Sequence, residues 1–174
     1  MTDRRFDRND LYGLALALLQ KGGMARAKAA VVAELLVRTD ELGVTTHGIS
    51  MVPYYLPELE SGAMRADGDH EIVRDTGATQ VWDGHYLPGH WLMMQALESA
   101  MPRARTHGMA SIAIRRSHHI GCLSTLTRIA AQDGQLEVVK ALLGAHASNL
   151  NFLPGEPRLG WSSDAELALL YGLG

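Results

Sequence analysis

The hydrophobic period changes once along the chain, and that change decides what the chain can fold into. From Leu11 to Leu59, apolar residues return at every third or fourth position, the mark of helices that each bury one face. The first such face holds Leu11, Leu14, Ala15, Leu18 and Leu19, with Asp10 as the expected N-cap and Gly22-Gly23 as the stop. A second helix is expected from about Ala25 to Leu42, carrying Ala29, Val32, Ala33, Leu36 and Val37 and ended by Gly43. A third is expected over Met51 to Leu59, its regular part confined by Pro53 and Pro57, with Gly62 closing the region.

Beyond Gly62 to Gly68 the pattern shortens. Glu71 to Arg74 and Thr79 to Trp82 read as two strands around the turn Thr76-Gly77-Ala78. A glycine-bearing loop, Asp83 to Gly89, precedes an amphipathic helix from His90 to about His107. Met109 to Ile114 is an apolar run of the kind that forms a buried strand. A polar loop, Arg115 to Gly121, then leads into a helix from about Leu123 to Asp133. This order implies an α/β fold with helices packed on a sheet. The expected division is a helical arm over residues 1–66, part of an α/β domain over 67–134, and an atypical tail over 135–174.

In the tail, Leu136 to Leu143 and Asp164 to Leu170 read as short helices, with a loop over Asn149 to Trp161. The stretch from Thr125 to Ala147 is similar to one ankyrin repeat. A single repeat cannot bury its own faces, so it reads as a coincidental helix-turn-helix or a fusion scar.

Composition narrows the class without naming an activity. A hydrophobic fraction of 47% and a charged fraction of 20% suit a soluble protein with a real core. The formal net charge of -3 offers no basic surface for nucleic acid or an anionic membrane. No apolar run is long enough to span a bilayer, and the N-terminus lacks a signal core. The single cysteine, Cys122, excludes an internal disulfide framework, and a cytoplasmic location is expected.

The eight histidines are the main chemical resource. His47 lies in the loop Thr45-Thr46-His47-Gly48, just after a helix end. Two uses fit it: a surface histidine in a helix-helix turn, or an acid-base group on a braced loop. His118 and His119 follow the buried strand and precede Gly121 and a helix start, where free backbone N–H groups suit a phosphate or carboxylate. Arg115 and Arg116 add positive charge there; a polar turn capping the strand is the plainer use of the segment. No Cys pair or His-Glu-x-x-His pattern accompanies the histidines, so no metal site is expected. Cys122 reads as a small packing residue, and Trp91, Met93 and Met94 read as core. Neither Gly-x-Gly-x-x-Gly nor a P-loop occurs.

Two blocks resemble one known family. Asp40-Glu41-Leu42-Gly43-Val44-Thr45-Thr46-His47-Gly48, followed by Pro53-Tyr54-Tyr55 and Gly62, is similar to the first signature of the malate/L-lactate dehydrogenases. That group includes ureidoglycolate, sulfolactate and diketogulonate dehydrogenases and is distinct from the Rossmann-type enzymes. Asp83-Gly84 with Gly89, Gly108 and Arg116-Ser117-His118-His119-Ile120-Gly121 resembles its second signature. The resemblance covers about residues 6 to 134. It implies a helical arm, a non-Rossmann NAD(P)-binding domain on a mixed sheet, and a homodimer. It also implies reversible hydride transfer between NAD or NADP and a small 2-keto or 2-hydroxy acid.

By the same resemblance, His47 and His119 are the catalytic histidines. Thr46, Gly48 and Arg116 fall to the substrate, and His118, Ile120 and Gly121 to the cofactor. The sequence departs from the family in two ways. Many members carry an arginine four residues after the first histidine, suited to a substrate carboxylate, and here that position is Met51. The family pattern also fades after about Gly134, so the chain reads as a truncated, frame-disrupted or fused member. A non-catalytic interaction or dimerisation module is the alternative from a different class, followed by a metal-dependent hydrolase or lyase.

Overall fold

The computed structural model describes residues 5–132. The expected tail elements and the ankyrin-like segment beyond Gln132 lie outside the described residues. The element order is α1 (Arg8–Lys21), α2 (Arg26–Glu41), two 3-10 turns (Thr45–His47 and Ile49–Met51) and α3 (Val52–Ser61). Then come β1 (Glu71–Asp75), β2 (Thr79–Asp83), α4 (Gly89–His107), β3 (Ser111–Arg115) and α5 (Leu123–Gln132).

Helix α1 begins a turn earlier than the sequence suggests. Asp7, not Asp10, is the N-cap: its side chain accepts from the backbone N–H of Asn9 and Asp10. Asp10 sits instead in the first turn, where a carboxylate faces the positive end of the helix. The expected apolar face is also narrower, because only Ala15 and Leu19 are buried and Leu14 stands exposed. Helix α2 runs as expected, and Ala29, Val32, Ala33, Leu36 and Val37 are all buried. It is buried more widely than one face because it packs against α1 on one side and against α4 and α5 on another. Both prolines are accommodated in α3, with Pro53 in its first turn, and Gly62 closes it in the left-handed conformation at φ 76.

The sheet has the order β1-β2-β3, with β1 and β2 antiparallel and β2 and β3 parallel. The hairpin turn is closed by Thr76 N–H donating to the Thr79 carbonyl. Helix α4 is the crossover between the parallel pair, as parallel strands require. β2 and β3 pair with Trp82 opposite Ile114 and Gln80 opposite Ile112, and these inward residues are buried, whereas every residue of β1 is exposed.

Two hydrophobic cores result. One lies within the arm, around Leu19, Val32, Leu36, Tyr55 and Met64. The other lies between the sheet and α4, around Trp82, Leu92, Leu97, Ile112 and Leu126, and includes Trp91 and Met93. Helix α2 contributes to both, so it joins the arm to the sheet. The main-chain bonds Ala25 N–H to Ala66 O and Arg65 N–H to Tyr86 O tie the connecting segment to each side.

Candidate active site

The site forms where the arm meets the C-terminal ends of the two parallel strands. The turn after α2 carries His47. Its course is set by Asp40, whose carboxylate accepts the backbone N–H of Ile49 at 2.8 Å. A Cβ at position 48 would run into that carboxylate, so the close approach that Gly48 permits is to Asp40. Thr46 Oγ1 lies 3.0 Å from His47 Nδ1, which orients the ring.

On the sheet side, the loops after β2 and β3 are laced together. Gly84 N–H donates to Arg115 O and His118 N–H to Leu87 O. This delivers His118 and His119 to α3. His119 Nδ1 lies 2.7 Å from the hydroxyl of Tyr55, a fully buried side chain of α3. His118 Nε2 lies 3.1 Å from a carboxylate oxygen of Glu58, also on α3. The His47 and His119 rings stack with centroids 5.6 Å apart, so the two histidines that the sequence singled out meet across the arm-sheet junction.

A third imidazole lies behind them. His90, in the first turn of α4, is buried, with its ring 6.1 Å from His119 and 5.8 Å from Tyr55. Its Nε2 has no hydrogen-bond partner, and a Cβ at Gly121 would collide with that nitrogen. Gly121, at φ 75, is therefore fixed by packing on His90. Burial, reinforced by His119, His118 and His47, pushes the His90 imidazole down from 6.5 to about 3. Burial likewise lowers His119, with smaller contributions from His47 and His118. Burial, and then the neighbouring Tyr54, raises the Tyr55 phenol, which therefore stays protonated. Burial thus favours the uncharged forms of His90, His119 and Tyr55, rings able to share a proton or orient a small polar ligand.

The structure places the remaining expected site residues as follows. Arg116 turns away from the cluster: it and Arg115 pair with the buried Asp83, and Arg116 also reaches His85 Nδ1 at 3.0 Å. Burial pushes the Asp83 carboxyl up, but hydrogen bonds from Arg116 and the His85 backbone outweigh it and bring it to about 2. Ile120 is buried in the sheet core, so only its backbone is available to a ligand. Met51 packs half-buried against the arm core. Cys122 Sγ lies 2.9 Å from Ser124 Oγ just ahead of α5.

Tyr55, Glu58 and His90 were not singled out in the sequence. Tyr55 was visible only as part of Pro53-Tyr54-Tyr55, within the block that carries the family resemblance. A groove of about 450 Å³ lies elsewhere, between α1, α2 and α5, and none of the clustered histidines lines it. Among the described residues, no group of three or more His, Cys, Asp or Glu side chains is placed to hold a metal ion.

The profile of the malate/L-lactate dehydrogenase family matches residues 6–143. The chain belongs to that family. It is 32% identical over 111 residues to the L-sulfolactate dehydrogenase of Methanothermobacter thermautotrophicus, covering 64% of this chain and 33% of that protein. It is 30% identical over 117 residues to hydroxycarboxylate dehydrogenase B of Escherichia coli, covering 67% and 32%. Among solved structures, the sulfolactate dehydrogenase of Methanocaldococcus jannaschii superposes with a TM-score of 0.70 at 28% identity, over 73% of this chain and 37% of that one. The malate dehydrogenase of Entamoeba histolytica superposes with a TM-score of 0.71 at 26% identity, over 75% and 37%. The chain thus spans about a third of the length of the curated relatives it matches.

Proposed function

We propose that this chain carries the acid-base half of a nicotinamide-dependent oxidoreductase site that interconverts small 2-hydroxy and 2-keto acids. The observation that carries the reading is the meeting of His47 and His119 across the arm-sheet junction, with His119 backed by the buried Tyr55. Oxidation of a 2-hydroxy acid releases a hydride and a proton. His119 suits the proton: its Nδ1 is engaged by Tyr55, which leaves Nε2 for the substrate hydroxyl.

The lowered proton affinity of His119 keeps the ring neutral near pH 7, the state needed to accept that proton. In this direction Nδ1–H donates to the Tyr55 oxygen. In the reverse direction the imidazolium gives its Nε2 proton to the oxyanion forming from the keto group. His47, stacked on His119 and held by Thr46, is placed to bind a substrate oxygen. Its half-exposed ring is the side from which a substrate enters.

The segment His118 to Gly121 is the part of this chain that would hold the cofactor, NAD or NADP. The fit is supported by two nitrogens beside that segment, His118 Nδ1 and His90 Nε2, which are buried without hydrogen-bond partners. When bound, the nicotinamide would accept or deliver the hydride. The reading includes a domain division near residue 66, a homodimer and a cytoplasmic location. No helix among the described residues is long and apolar enough to cross a membrane. NADH and NADPH fluorescence titrations of the purified chain test the proposal. Saturable binding, competed by a 2-keto acid, is the expected result. A folded chain that binds neither cofactor at millimolar concentration would overturn it.

A further inference from the structure

Two side chains of α3, three residues apart and so on one face of the helix, reach two consecutive residues of the β3–α5 loop. Tyr55 meets His119 Nδ1 at 2.7 Å, and Glu58 meets His118 Nε2 at 3.1 Å. In the inner rung Tyr55 is fully buried and His119 partly so, whereas in the outer one the Glu58 side chain keeps 31% of its exposure and His118 keeps 11%. The His118 backbone is tied to the β2–α4 loop through its N–H and braced within its own loop through its carbonyl. Its N–H donates to Leu87 O, and its carbonyl accepts from Ser117 Oγ. The ring is thus a rigid arm of the sheet domain that ends on the helical arm.

We propose that Glu58 is a positioning residue for the His119 site, acting through His118. An ionised carboxylate only accepts hydrogen bonds, so Nε2 of His118 must carry the hydrogen. In the neutral ring that fixes the tautomer and leaves Nδ1 as a bare acceptor, the nitrogen that is buried without a partner. A single rung between Tyr55 and His119 is a pivot. The second rung removes that freedom and sets the angle at which the loop presents His119 to His47. This role rests on the proposed assignment of His119 to acid-base chemistry, but the geometry it asserts is measurable without any ligand.

The test is imidazole ¹⁵N spectroscopy of the full, ligand-free chain at a pH where both rings are neutral. His118 is expected as a single tautomer, protonated at Nε2 and bare at Nδ1. Glu58→Gln, whose amide oxygen still accepts, should keep that tautomer and the His119 Nδ1 signal. Glu58→Leu should let His118 exchange between tautomers and shift the His119 Nδ1 signal away from its Tyr55-bonded position. The proposal is overturned if wild-type His118 is bare at Nε2. It is equally overturned if Glu58→Leu only lowers the melting temperature and leaves both imidazoles unchanged. Should Glu58→Leu not fold, the wild-type and Glu58→Gln spectra still decide the tautomer. Because no cofactor is present, failure here and failure of cofactor binding are separate results.

Discussion

The loop from Arg115 to Gly121 carries two polar clusters of opposite character. At its start, Asp83 is buried, ionised and fully engaged by Arg115, Arg116 and the backbone of His85. At its end, His118, His119 and His90 are gathered with Tyr55, burial favours the uncharged forms of His119 and His90, and two of the ring nitrogens are buried without partners. A satisfied buried charge locks two strand ends together. An under-satisfied ring cluster is a place where the fold has kept hydrogen-bonding capacity in reserve, as ligand sites do. The strained residues fit this division, since His85, Tyr86 and Arg116 have positive φ and all border the charged cluster. The charged end holds the loops in position, and the ring end is where the proposed function places the chemistry.

Four changes would break or sharpen this contrast. The largest effect is expected on turnover. On the proposed function, His119→Gln should lower keto-acid reduction on the order of 10² to 10⁴-fold, with a stability loss of about 1–2 kcal/mol beside it because Tyr55 loses its partner. Next is Asp83→Ala, which removes the acceptor of four hydrogen bonds, from Arg115, Arg116 and the His85 backbone. It should cost about 2–4 kcal/mol of stability in a denaturant titration. A mutation at the charged end should therefore harm the fold alone, and His119→Gln should harm the reaction more than the fold.

Acid separates the two clusters in a third way. His90 has its folded pKa depressed, so the unfolded chain takes up a proton near pH 6.5 while the folded chain resists until about 3. Stability is then whole above about 6.5 and falls as the pH drops, by about 1.4 kcal/mol per unit from this one residue. Asp83 has its carboxyl lowered from 3.8 to about 2, so its contribution is lost only as the pH falls through that lower window. Denaturant midpoints measured against pH should show the upper slope first, and His90→Leu should flatten it. The smallest effect expected is from Tyr55→Phe. It removes one buried hydrogen bond and should cost about 1–2 kcal/mol, with His119 titrating at a changed pH.

Which parts of this were visible in the sequence follows from how locally each is encoded. The helices and strands announce themselves through spacing, and the α2 face was buried residue for residue. His47 and His119 were reachable because each sits in a short polar loop between regular elements, and the structure brings them together. Tyr55 and His90 were not, because a polar ring on the inward face of an apolar helix has the same spacing as core. Glu58 has the spacing of any solvated helix carboxylate, and its partner lies 60 residues away. The pairing of Arg116 was hidden for a related reason. Its charge reads as available, but Asp83 on the adjacent strand end takes it up, and no local pattern marks a pairing across a sheet. The position of the first cap was decided by one helical turn, between Asp7 and Asp10, both competent acceptors.

The central claim is that burial holds His90 and His119 uncharged and that His119 is the member poised to exchange a proton. Following each imidazole by NMR through an acid titration of the ligand-free chain tests it most directly. The account predicts that His119 titrates below 6.5 and that His90 stays neutral until about 3. A His119 midpoint at or above 6.5, or a His90 ring that protonates along with the exposed histidines, would contradict it.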